Sequence, residues 1–215
     1  MLALYGCVQP ACAGVPPATI LELMPHGSLR RVLRGRSSPP PLRTAAVLAL
    51  GAARALQHLH AQAPCVVHFD IKADNLLVDW RDAEQPVCKL SDLGLAAPRG
   101  AFTRAEAAGR GTLWWMAPEL FPGAPGGCAT AGPEVDIFSF GVTVWEVLCA
   151  GADPYPPGTH GEAVMAAVRA GARPPLPAGL DVDWASLVND CWATDPAARP
   201  AATQVVARLA QLARR

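Results

Sequence analysis

Residues 68 to 94 read HFDIKADNLLVDWRDAEQPVCKLSDLG, which sets Asp70, Lys72, Asn75 and Asp92 in the order and approximate spacing that phosphoryl transfer from ATP requires. That reaction asks for little covalent work from a protein. A nucleophile must be aligned with the phosphate, and charge on the transferring oxygens must be stabilised. Two carboxylates, an ammonium and an amide oxygen are suited to both tasks. The ammonium stands out, because Lys72 and Lys89 are the only lysines among 18 basic side chains. Before Asp70 there is no lysine and a single carboxylate, Glu22. His-x-Asp-x-x-x-x-Asn alone weighs little, since these residues are common in loops for local hydrogen bonding.

The surrounding sequence explains how such residues would be held. From Thr44 to about His60, Val47, Leu48, Leu50, Ala53, Leu56 and Leu59 recur at helical spacing and predict a long, largely buried helix leading into the motif. Cys65 to Val67, Leu76 to Val78 and Val87 to Leu90 are short β-rich runs, the last two joined by the polar hairpin loop WRDAEQP. The candidate residues thus lie on loops carried by strands. Upstream, LALYGCV and TILEL read as two strands around the loop QPACAGVPP, and Ser28 is placed to cap a short helix LRRVL. Beyond residue 90 the pattern is loop and helix. Helices are expected at about 134 to 149, 161 to 170, 183 to 193 and 203 to 214, the last capped by Thr203, and GAPGGCATAG reads as a flexible insertion.

Composition bounds the function classes. With 215 residues, 51% of them apolar, and a mean hydropathy of +0.21, the chain is expected to be globular. Its 18 basic and 18 acidic residues cancel, giving no footprint for nucleic acid or an anionic membrane. No run of ~18 uncharged apolar residues predicts a membrane span. Ala11-Cys12-Ala13 imitates a signal cleavage site, but a basic leader is lacking. The seven cysteines form no Cys-x-x-Cys pair, so neither a disulfide framework nor a zinc site is suggested, and reduced thiols in a soluble cytoplasmic protein are expected.

Further motifs follow in order: Gly111-Thr112 before WMAPE, then VDIFSFGVTVWE, then DPAARP. Together these resemble the catalytic core of a eukaryotic protein kinase, from about residue 2 to residue 211. His68 to Asn75 and Gly111 to Glu119 are most similar to the tyrosine-kinase-like serine/threonine kinases, nearest the plant and algal Raf-like mitogen-activated protein kinase kinase kinases. The resemblance implies a mainly α (α+β) kinase-like fold. Residues 1–23 would be the last two strands of the small lobe and the hinge; residues 24–215 would be the large helical lobe, with its catalytic loop at 66–78 and activation segment at 92–119.

It also implies roles. Asp70 would orient the substrate hydroxyl and accept its proton. Lys72 would place positive charge at the γ-phosphate, and the Thr112 hydroxyl would bridge the two. Asn75 and Asp92 would hold Mg²⁺, and Gly94 would let the chain turn tightly after Asp92. Leu77 would floor the adenine of ATP, with Leu21 as gatekeeper and Glu22 and Met24 in the hinge. Leu113 and Trp114 would line the pocket for the residue after the phosphoacceptor. Glu119 and Arg199 would form a buried ion pair, Asp136 would bind amides around His68, His68 itself would pack, and Trp115, Trp145 and Trp192 would be core.

The expected activity is phosphorylation of Ser/Thr hydroxyls on protein substrates in intracellular signalling, with regulatory protein partners. Two departures qualify it. Phe69 stands where most kinases carry the arginine that receives an activation-loop phosphate, which predicts weak dependence on such phosphorylation, Thr103 being the free acceptor. In addition, no glycine-rich loop, lysine-bearing strand or glutamate partner precedes residue 71. The chain is therefore expected to be a fragment of the full domain; the alternative is a catalytically inactive kinase-like binding or scaffold module.

Overall fold

The computed structural model describes residues 1–9, 16–124 and 129–215. Ala11 to Ala13 and the centre of the Gly/Ala-rich insertion, including Cys12 and Cys128, lie outside the described residues. The fold is the predicted one, mainly helical with a few short strands.

At its centre is α3 (Glu134–Leu148), buried from Val135 to Leu148 on every face. A helix this rich in apolar residues has no solvent side, and here other elements cover it completely. It packs against α5 (Val182–Cys191) and against α2 (Leu42–His60), whose other side meets α6 (Ala202–Leu212). Gly51 lets α2 lie directly on the strand that follows the hairpin loop, because a Cβ there would stand 2.5 Å from Cys88 O. The smaller helices are α1 (Leu29–Arg34) and α4 (Gly161–Arg169). Ser28 caps α1 as expected, its hydroxyl accepting from Arg31 N at 3.3 Å.

Among the described residues three antiparallel strand pairs form: β1 (Leu4–Val8) with β2 (Ala18–Leu21), β4 (Leu76–Asp79) with β5 (Val87–Leu90), and β3 (Val66–Val67) with β6 (Ala97–Pro98). The last pair corrects the expectation of loop and helix alone after residue 90. Two residues are too short to show periodicity, and they form a strand only because β3 offers a long-range partner. A second correction concerns α6. Thr203 does not cap it; the Gln204 side chain reaches back to accept from Ala201 N at 2.8 Å.

The Glu119–Arg199 pair is bidentate and buried, at 2.6 and 2.8 Å, and joins the segment around Glu119 to the approach to α6. Trp115, Trp145 and Trp192 are all buried. Among the described residues, no helix is long and apolar enough to cross a membrane. Cys7, Cys65, Cys88, Cys149 and Cys191 are free thiols.

Candidate active site

The loop from His68 to Asn75 lies along one face of α3, and that face carries the polar residues of an otherwise apolar helix. Asp136 accepts from His68 N and Phe69 N, both at 2.8 Å, and its Oδ2 lies 2.9 Å from His60 Nε2. Two turns on, the Thr143 hydroxyl donates to Ile71 O at 3.3 Å. One turn further, Glu146 accepts from Ala73 N at 3.3 Å. Three side chains at helical spacing thus read the loop backbone at 68, 69, 71 and 73 in order. Only Asp136 was anticipated. The overlooked signal was the recurrence of Asp136, Thr143 and Glu146 on one stripe of a core helix, where a buried polar group has to find a partner.

Glu146 is fully buried and also accepts from Arg30 Nη1 at 3.0 Å and Trp115 Nε1 at 3.1 Å. Burial pushes its carboxyl up to about 7, outweighing the Arg30 charge and the N–H donors. Arg30 also bonds Asp153, lies 3.5 Å from Asp74 and stacks over Trp115.

On this support the predicted residues converge. Lys72 Nζ is 2.8 Å from Asp70 Oδ2 and donates to Thr112 Oγ1 at 2.6 Å, while the Thr112 hydroxyl donates to Asp70 Oδ1 at 2.7 Å. Asn75 Nδ2 donates to Asp70 Oδ2 at 2.8 Å and to Asp70 O at 2.7 Å. Desolvation raises the Asp70 pKa, but the hydrogen bonds from Lys72, Thr112 and Asn75 together outweigh it and hold the carboxyl below the ordinary carboxylate range. Asp70 therefore stays ionised at neutral pH, as an acceptor aimed by three donors.

Asp92 is brought alongside by Ser91, whose N–H and hydroxyl both donate to Asn75 O, at 2.9 and 2.8 Å, and whose carbonyl lies 3.0 Å from His68 Nε2. His68 itself is buried and packs, as expected. The residue that takes the left-handed conformation in the following turn is Asp92 (φ 59°), not Gly94; Gly94 N donates to Asp92 Oδ1 at 3.1 Å. Asp92 is exposed, and among the described residues neither its Oδ2 nor Asn75 Oδ1 carries a hydrogen bond. Two hard oxygens with spare lone pairs fit Mg²⁺, which keeps several waters and needs few protein ligands.

On the opposite side, His26 N donates to Val78 O and Val78 N to Gly27 O, which lays the segment after Met24 along β4 beside Leu77. Leu77 is half-buried and Met24 buried. Leu21 is exposed. The Glu22 carboxylate is engaged by Lys89 Nζ, 2.7 Å from each oxygen, which together with Ala3 N holds its pKa below the usual range. A cavity of about 340 Å³ opens beside Thr112, lined by Arg30, Asp74, Leu113, Trp114 and Asp153 among others.

The family model for protein tyrosine and serine/threonine kinases matches residues 1–209. Among curated relatives, the chain is 31% identical over 209 residues to the probable serine/threonine-protein kinase drkD of Dictyostelium discoideum, covering 96% of this chain and 15% of that protein. It is 33% identical over 202 residues to the serine/threonine/tyrosine-protein kinase HT1 of Arabidopsis thaliana, covering 93% and 48%. It is 32% identical over 219 residues to human mitogen-activated protein kinase kinase kinase 7, covering 100% and 33%. The chain spans less than half the length of each of these relatives. A motif set in family order, a carboxylate held by lysine, threonine and asparagine, and a match over nearly the whole chain make this a member of the protein tyrosine and serine/threonine kinase family.

Proposed function

We propose that this chain forms the substrate-facing and metal-holding side of a protein serine/threonine kinase site, transferring the γ-phosphate of ATP to Ser/Thr hydroxyls of protein substrates in intracellular signalling. Residues 1–23 are assigned to the small lobe and hinge, and residues 24–215 to the large lobe. The observation that carries this reading is the closed set Asp70–Lys72–Thr112, in which one carboxylate oxygen accepts from each partner.

In this reading Asp70 orients the incoming hydroxyl and takes its proton as the new O–P bond forms and the bond from the γ-phosphorus to the bridging oxygen of the leaving ADP breaks. Its lowered pKa suits orientation first and proton acceptance late in the step. Lys72 moves its charge from Asp70 to the phosphate oxygens, and Thr112 holds both in register. Asn75 and Asp92 present oxygens to Mg²⁺, which neutralises phosphate charge when bound. Met24 and Leu77 flank the adenine. Glu22 contributes through its backbone, since its side chain is committed to Lys89. The choice of phosphoacceptor is supported by drkD, whose name specifies a serine/threonine kinase; the name of HT1 includes tyrosine as well.

The test is radiolabel transfer from Mg-ATP to a generic protein substrate. Asp70→Asn should lower turnover by about a hundred- to ten-thousand-fold without unfolding the chain, and Asp92→Asn should abolish the thermal stabilisation by Mg-ATP. Saturable nucleotide binding with no transfer at any substrate concentration would point instead to a non-catalytic module.

A further inference from the structure

Arg110 lies in the activation segment with no carboxylate partner among the described residues and with its buried Nε unbonded. Its guanidinium is met by π faces instead. Cζ lies 4.2 Å from the Phe102 ring centroid and 5.7 Å from that of Phe69, and the two rings meet edge to face at 6.5 Å. Nη2 donates to Leu95 O at 3.2 Å. A single side chain therefore touches the start of the segment at Leu95, its middle at Phe102, and the catalytic loop at Phe69.

The geometry on either side closes the arrangement. Phe69 adopts φ 67° and is buried, which turns its ring toward the segment. Gly111 adopts φ +99° and approaches so closely that a Cβ would stand 2.2 Å from Phe69 O. Thr112, the next residue, is the one that bridges Asp70 and Lys72. Thr103 faces elsewhere, its hydroxyl donating to Glu106 Oε2 at 2.9 Å.

We propose that Arg110 is a positioning residue: stacked on Phe69 and Phe102, it holds the activation segment against the catalytic loop and so keeps Thr112 in place without a phosphate. The usual polarity is reversed, with the segment bringing the cation and the loop presenting the aromatic face. This regulation rests on the kinase reading for its purpose, but its physical content can be measured without turnover.

The experiment follows backbone amide exchange over residues 95–112 by mass spectrometry in the full 215-residue chain, confirmed to be unphosphorylated. Arg110→Met should speed exchange there about fivefold and Phe69→Leu by less, since Arg110 then keeps Phe102 and Leu95 O; in the Arg110→Met background Phe69→Leu should add little, its contact with the guanidinium being already gone. Arg110→Lys, which keeps the cation, should recover part of the protection. Thr103→Ala, whose side-chain bonds are local to Glu106, should leave exchange at residues 109–112 unchanged. Unchanged exchange in a folded Arg110→Met, additive effects in the double variant, or slower exchange of the wild-type segment after phosphorylation of Thr103 would each overturn the proposal. If Arg110→Met lacks a cooperative thermal transition, Arg110→Lys and Phe69→Leu carry the same comparison. Where transfer is measurable, Arg110→Met should raise KM for the protein substrate and leave KM for ATP unchanged. Absence of transfer with the exchange pattern intact would count against the kinase reading alone.

Discussion

The loop from His68 to Asn75 and the β1–β2 hairpin are held in opposite ways. The loop rests on α3 through Asp136, Thr143 and Glu146, all buried and each taking a different backbone group. The hairpin exposes both faces, Leu4, Tyr5, Val8, Ile20 and Leu21 among them, and is tied below by the Glu22–Lys89 pair and by Leu2 N donating to Leu90 O. The loop, whose regular structure is one 3-10 turn at Ala73–Asn75, is the more rigidly specified of the two. Regular hydrogen bonding within a strand pair does not fix its position on the molecule, whereas buried side-chain acceptors aimed at a backbone do.

Four substitutions would break or sharpen that contrast. The largest effect is expected from Asp136→Ala, which strips two buried N–H groups of their acceptor and should cost about 3–5 kcal/mol in urea unfolding. Next comes Glu146. Its carboxyl is raised in the fold, so the native chain holds a proton that the unfolded chain releases, and its contribution is full below the ordinary carboxylate range. Stability should therefore fall as pH rises from about 4.5 towards about 7, and Glu146→Gln should flatten that slope in thermal melts. Thr143→Val removes one hydrogen bond to Ile71 O and should cost only about 1 kcal/mol. Smallest globally is Lys89→Met. It should leave the melting temperature unchanged and speed amide exchange in residues 4–8 and 18–21 alone; protection there equal to wild type would mean that the hairpin is anchored by something else.

The difference between the two regions also explains what could be read from the chain. Asp70, Lys72, Asn75 and Asp92 were legible because they crowd into 23 residues and their spacing carries the chemistry. The long helices were legible from their apolar period. Glu22 was assigned by its place in the hinge, and nothing local reveals that its carboxylate meets a lysine 67 positions away. Arg110 was invisible for the same reason, since Phe69, Phe102 and Leu95 become its neighbours only in three dimensions. Thr143 and Glu146 were hidden differently: they sit in a run so apolar that it reads simply as core. Polar residues at helical spacing inside such a run deserve the same weight as apolar residues inside a polar one.

The scarcity of lysine gives the molecule a built-in reporter. Apart from the amino terminus, the chain has two primary amines: Lys72, held by Asp70 and Thr112, and Lys89, held by Glu22. One lies in the candidate site and the other beneath the hairpin. An amine-acylating reagent read by mass spectrometry would thus follow both regions in one digest, with Lys72 reporting the His68–Asn75 loop and Lys89 reporting whether the hairpin remains seated.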